Sequence, residues 1–107
     1  MPRTIKCRKI CSFPDYYSFV PEEVDVGNIE TVMMSLDEYE TVRLLDYEGL
    51  NQEECALRMG VARTTVTAMY ESARKKLVSA VVEGKRLRIA GGNIEIDRER
   101  SGFCVNL

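Results

Sequence analysis

The chain has 107 residues, 45% of them hydrophobic and 30% charged, which bounds it to one soluble globular domain with a modest core. No apolar run could span a bilayer and the N-terminus has no signal-peptide pattern, so the expectation is a cytoplasmic protein with no membrane partner. There is no histidine, which excludes Ser-His-Asp and Cys-His chemistry, and no glycine-rich phosphate cradle; the chain does not read as an enzyme and needs no cofactor.

Net charge is −2 at pH 7, but the charge is segregated. Residues 1–14 hold four bases and no acid, while residues 15–54 hold twelve acids against Arg43 alone. Residues 63–88 then carry seven bases against Glu71 and Glu83. A basic face beside an acidic body suits phosphate contact.

Residues 1–34 read as an N-terminal unit and residues 35–107 as the helical domain, the two forming one folding unit. In residues 1–14, Pro2 and Pro14 discourage regular structure. Arg3, Lys6, Arg8 and Lys9 make this segment a basic arm for a phosphate backbone or a minor groove, or else a disordered tail. Residues 15–34 hold Tyr16, Tyr17, Phe19, Val20, Val24, Val26, Ile29 and Val32, interrupted by Pro21 and Gly27. So many aromatic and β-branched side chains are expected to pack over the helical core as a loop with short elements.

Ser35 opens a helix. Its hydroxyl can cap, and Glu38 occupies the capping-box position. Leu36, Tyr39, Val42 and Leu45 follow at helical spacing, Leu44 widens the stripe, and Gly49 stops it. The acids of this helix read as a solvated face.

Residues 51–71 organise the rest. Asn51 can cap a second helix, with Glu54 at its capping-box position. Ala56 is small where two helices must cross, and Gly60 allows a left-handed stop after Met59. Val61 plugs the turn. Val66 and Met69 lie on one face of a third helix and should pack on Ala56 and Met59. This is the pattern of a helix-turn-helix, which sets its second helix into the DNA major groove. The opposite face, Arg63, Thr64, Thr67, Ala68 and Glu71, carries side chains suited to base edges. Arg74, Lys75 and Lys76 follow where a helix leaving the groove meets phosphates, and Gly84 ends the helix.

In residues 86–97, Leu87 and Ile89 alternate with Arg86 and Arg88, and Ile94 and Ile96 alternate with Glu95 and Asp97. Gly91 and Gly92 between them suit a tight turn, so a β-hairpin is expected, pairing Ile89 with Ile94 and Leu87 with Ile96. Its apolar face, with Val78, Val81 and Val82 upstream, predicts a homodimer. Residues 98–107 read as a tail anchored by Phe103 and Val105.

Four cysteines in such a chain read as free thiols. Cys7 and Cys11, with Cys104, could offer three thiolates to a metal, and the neighbouring Lys6, Arg8 and Lys9 favour the thiolate form. Structural zinc sites usually show closer cysteine pairs or histidines, so inert thiols are favoured, with Cys55 in the core.

From residue 35 to residue 80 the chain resembles the fourth region of bacterial sigma factors, in its capped helix ending EGLNQEE, in ALRMGVARTTV and in SARKKL. Across residues 1–96 it more closely resembles a family of small prokaryotic proteins of unknown function, predicted to bind DNA through this same motif. The matching segments are PRTIKCRKI, SLDEYETVRLLDYEGLNQEECALRMGVARTTV and SARKKLVSAVVEGKRLRIAGGN. In that family a serine usually caps the third helix where Ala62 stands here, a loss of roughly 1 kcal/mol. Val20 also replaces a common lysine before Pro21.

The expected fold is mainly α, a tri-helical helix-turn-helix core with a C-terminal β-hairpin and an N-terminal arm. The expected function is sequence-specific binding of double-stranded DNA in transcription regulation. The alternatives are a sigma-like module that docks on transcription machinery, and a thiol or zinc sensor.

Overall fold

A computed structural model describes residues 7–96, and its longest element, the helix α3 (Arg63–Glu83), is the spine on which the others pack. In chain order the elements are β1 (Arg8–Ile10), β2 (Ser18–Phe19), a 3-10 turn (Val26–Asn28), β3 (Thr31–Met34), α1 (Leu36–Val42), α2 (Gln52–Met59), α3, β4 (Arg86–Ile89) and β5 (Ile94–Ile96). A π-helical turn, Arg43–Tyr47, extends α1.

Local chemistry sets the helix ends. Ser35 and Glu38 form the expected capping box, and Asn51 and Glu54 form another, with Asn51 Oδ1 accepting from the Glu54 N–H at 2.8 Å. Gly60 closes α2 in the left-handed conformation, φ 68°, where a Cβ would be strained. Ala62 has the extended backbone of an N-cap but no side-chain oxygen, so α3 starts without a side-chain cap.

Two clusters form the interior. The first comprises Leu44, Cys55, Ala56, Met59, Val66 and Met69, with Leu45, Leu50 and Val61 packed around it. Here the expected packing of Val66 and Met69 on Ala56 and Met59 is met. The second joins Ile10, Met34, Leu36, Ala73, Ala80, Leu87 and Ile89 across the strands, α1 and the later turns of α3.

Three expectations are corrected. The hairpin does not form. β4 runs between β2, antiparallel, and β3, parallel, with Val32 beside Leu87 and Met34 beside Ile89. Both edges of β4 are thus occupied, and β5 pairs instead with β1, in parallel. The Gly91–Gly92 segment connects two sheets. The Gly91 carbonyl accepts from the Leu36 N–H at 2.9 Å, and a Cβ on Gly92 would stand 2.8 Å from Asp37 Oδ1. The alternation in residues 86–89 was sound, since Leu87 and Ile89 are buried, but they face the chain's own core and not a partner.

The second correction concerns residues 8–11. Arg8–Ile10 form a strand and not a loose arm, and Ile10 and the following Cys11 are buried. Arg3 and Lys6 lie outside the described residues, as do Cys104, Phe103 and Val105.

The third concerns the acids of α1. Asp37, Glu38 and Glu40 are buried and partnered, not solvated. Glu40 accepts the Cys11 N–H at 3.1 Å and takes the Arg43 guanidinium as a two-bond fork at 2.9 and 3.0 Å. Glu48 holds the remaining side of that guanidinium at 2.9 Å. Conversely, much of the aromatic segment expected to pack is open to solvent, including Tyr16, Tyr17 and Phe19.

Candidate nucleic-acid interface

α2 and α3 meet across Gly60–Ala62, and their small and apolar residues face each other in the first cluster. This turns the other side of the first α3 turns outwards. Arg63, Thr64, Ala68 and Glu71 are exposed on it, and Thr67 is half-buried. The Thr67 hydroxyl donates to Gln52 Oε1 at 2.8 Å, linking α3 to the first turn of α2. It also lies 3.2 Å from the Arg63 carbonyl, but one hydroxyl proton serves one acceptor at a time, and the shorter contact goes to Gln52.

Arg63 borders an open cleft of about 550 Å³ with Asp46, Asn51, Gln52, Glu53 and Tyr70. The Tyr70 hydroxyl donates to Asp46 at 2.8 Å, and that bond raises the phenol pKa, since its proton is held by a carboxylate. Arg74 stacks over the Tyr70 ring, 5.2 Å from its centroid. Sequence reasoning missed Gln52, Asp46 and Tyr70. Their only signal was polarity near the motif, because the contacts join residues 46, 52, 67 and 70 across three elements.

The three cations expected on phosphates differ in situation. Arg74 and Lys75 are exposed. Lys76 is committed to Glu38, Nζ to Oε1 at 2.7 Å. Glu38 also accepts from the Ser35 N–H at 2.9 Å and from the Ser72 hydroxyl. Burial would raise the Glu38 pKa, but the Lys76, Ser72 and Ser35 hydrogen bonds outweigh it and hold the carboxyl below its usual value.

In β1, the side chain of Arg8 is turned towards Asp37 at 3.8 Å. Lys9 is exposed and its stem runs over Gly60, placing a cation beside the α2–α3 turn. Cys55 lies in the core as expected. Burial, with a smaller push from Glu40 against the pull of Arg58, takes its thiol up to about 11, so it is an unreactive thiol at neutral pH. Cys7 is a free, exposed thiol, whereas Cys11 is disulfide-bonded, which corrects the expectation of four free thiols. A sulfur already bonded to sulfur is no thiolate ligand, and no group of three or more metal-ligating side chains occurs among the described residues. No helix among them is long and apolar enough to cross a membrane.

Comparison with known proteins covers nearly the whole chain. Residues 1–97 match the family described as "Protein of unknown function DUF134". The chain is 50% identical over 96 residues to UPF0251 protein DSY3441 of Desulfitobacterium hafniense (strain Y51), covering 90% of this chain and 77% of that one. It is 47% identical over 103 residues to UPF0251 protein CT1277 of Chlorobaculum tepidum, covering 96% of this chain and 52% of that protein. Against UPF0251 protein Teth39_0655 of Thermoanaerobacter pseudethanolicus the figures are 42% over 103 residues, 95% and 87%. No solved structure matches. The extent of these matches makes the chain a member of this prokaryotic family of unknown function.

Proposed function

We propose that this protein binds double-stranded DNA sequence-specifically, as a transcriptional regulator, with α2 and α3 acting as a helix-turn-helix. The observation that carries the reading is the outward face of the first α3 turns. It is exposed, short in side chain and flanked by cations, while its back is locked to α2 by apolar packing and by the Thr67–Gln52 bond. A rigid helix of this kind fits the major groove.

In this reading Arg63, Thr64, Thr67 and Ala68 meet base edges, and Glu71 can accept from a cytosine amino group. Arg74 and Lys75 meet phosphates, with Lys9 beside the turn. Lys76 contributes less, since Glu38 holds it. Affinity then comes from phosphates and selectivity from bases.

Selection from a random duplex pool supplies the preferred site, and competition against scrambled duplex tests the assignment. Arg63→Ala should erase the preference, worth about 1–3 kcal/mol, and leave weak general binding. An unchanged specificity ratio would refute the role of Arg63, and a pool with no enriched sequence would refute the reading. Arg74→Gln with Lys75→Gln should weaken binding to every duplex and flatten the salt slope by nearly one unit per lost contact.

A further inference from the structure

Among the described residues, Arg8, Arg43, Lys76 and Lys85 are each held by carboxylates. Arg74 is held differently. Its guanidinium stands over the Tyr70 ring, 5.2 Å from the centroid, and it is in no ion pair among the described residues. An acid stands at a suitable spacing: Glu71 is exposed three residues earlier on α3, where helical side chains can meet. The guanidinium lies over the ring instead.

The difference matters to an anion. A carboxylate that fixes a cation also cancels its charge and occupies its donors, as Glu38 does with Lys76. The face of an aromatic ring fixes a cation through its quadrupole, and it leaves the net charge and the in-plane N–H donors of an arginine free. The ring is itself tied down. Tyr70 is half-buried beside the cleft, and its hydroxyl donates at 2.8 Å to Asp46, in the π-helical turn that extends α1. Arg63, Thr67, Tyr70 and Arg74 are spaced by four, three and four residues, so they share one edge of α3. The two hydroxyls of that edge bond back to Gln52 of α2 and to Asp46, while the arginines at its two ends are in no ion pair among the described residues.

We propose that Tyr70 is a positioning residue for phosphate binding: anchored by Asp46, its ring holds the Arg74 guanidinium ordered and unneutralised for a phosphate of the bound duplex. The inference rests on the DNA-binding reading. It gives Tyr70 no DNA contact of its own. A surface arginine without the ring would keep its charge, but it would lose its rotamer freedom only on binding, which lowers affinity.

NMR of the full chain without DNA tests the placement first. The ring current should shift the Arg74 side-chain protons upfield in the parent and in Tyr70→Phe, and the shift should vanish in Tyr70→Leu. Leucine is a strong helix former and Tyr70 lies outside both apolar clusters, so Tyr70→Leu should keep the parent's circular dichroism spectrum. Duplex titrations test the role. Tyr70→Leu should bind every duplex about two- to fivefold more weakly, the range of an exposed cation–π contact. Tyr70→Phe keeps the ring and loses only the Asp46 bond, so it should recover most of that loss. In an Arg74→Gln background, Tyr70→Leu should cost nothing further, because its effect acts through Arg74. Arg74 protons that resonate alike in the parent and in Tyr70→Leu would overturn the proposal, as would Tyr70→Leu binding with the parent's affinity. Losses that multiply in the double variant would make Tyr70 a DNA contact in its own right and overturn it too. A parent that binds no duplex would sink the DNA reading and this role with it. A parent that binds selectively, with variants that fail these comparisons, would sink the positioning role alone.

Discussion

The two apolar clusters are assembled over different chain distances. The first draws Leu44, Cys55, Ala56, Met59, Val66 and Met69 from one continuous run. The second gathers Ile10, Met34, Leu36, Ala73, Ala80, Leu87 and Ile89 from nearly the whole described chain. The helix pair proposed to read DNA therefore rests on local contacts, which close short loops at little entropic cost. The strand layers need partners far apart in sequence. α1 and α3 serve both, and Glu40 of α1 links them chemically by gripping Arg43 on one side and the Cys11 N–H of the strand side on the other.

Breaking that link should have the largest effect. Glu40→Ala strands the buried Arg43 guanidinium with Glu48 alone and removes the carboxylate that accepts from the Cys11 N–H. Removing one partner of a buried pair costs about 3–5 kcal/mol. Urea titration followed by circular dichroism measures it, and a loss under about 1 kcal/mol would show that water or Glu48 replaces Glu40.

Truncating each cluster sharpens the contrast. Ile10→Ala and Val66→Ala, both at essentially fully buried positions, should each cost about 2–4 kcal/mol. Their kinetics should differ. The local cluster should form early, so Val66→Ala should slow refolding, while Ile10→Ala should mainly speed unfolding. Stopped-flow chevrons decide it; the reverse partition would place the nucleus in the strands.

A smaller, pH-dependent effect is expected at the α1–α3 contact. The folded-state pKa of Glu38 lies below its ordinary 4.5, so its contribution is fully present above about that pH. It is lost as pH falls through the lowered folded value. The stability gap between the parent and Glu38→Gln should be constant near neutrality and shrink below pH 4.5. A gap unchanged down to the acid transition would mean that Glu38 is not held as the carboxylate.

The smallest change should be a gain. Ala62 already has N-cap backbone geometry, so Ala62→Ser adds only the missing hydroxyl and should stabilise the fold by about 1 kcal/mol. Thermal melts would register a rise of several degrees. No rise would mean that the serine rotamer points away from the α3 amides.

Legibility followed the same division. Ser35, Asn51, Gly60 and Gly84 marked helix ends correctly, because capping and left-handed stops act within four residues. The small-residue crossing at Ala56 was likewise readable. The exposed face of α3 followed from helical period once the buried face was known, although the pairing of Thr67 with Gln52 did not.

What the sequence determined by itself was therefore the helices, their caps and which side of α3 faces outwards. The alternation at Leu87 and Ile89 was legible too, but not the partner strands. Period two tells a strand which face to bury and is silent on who occupies its edges. That was decided when β2 and β3 took both edges of β4 and sent β5 to β1. Only the tertiary structure could bury the α1 acids as well. A carboxylate reads as a surface group until Arg43, Lys76, Ser72 or a backbone N–H from elsewhere in the fold is brought within hydrogen-bonding distance.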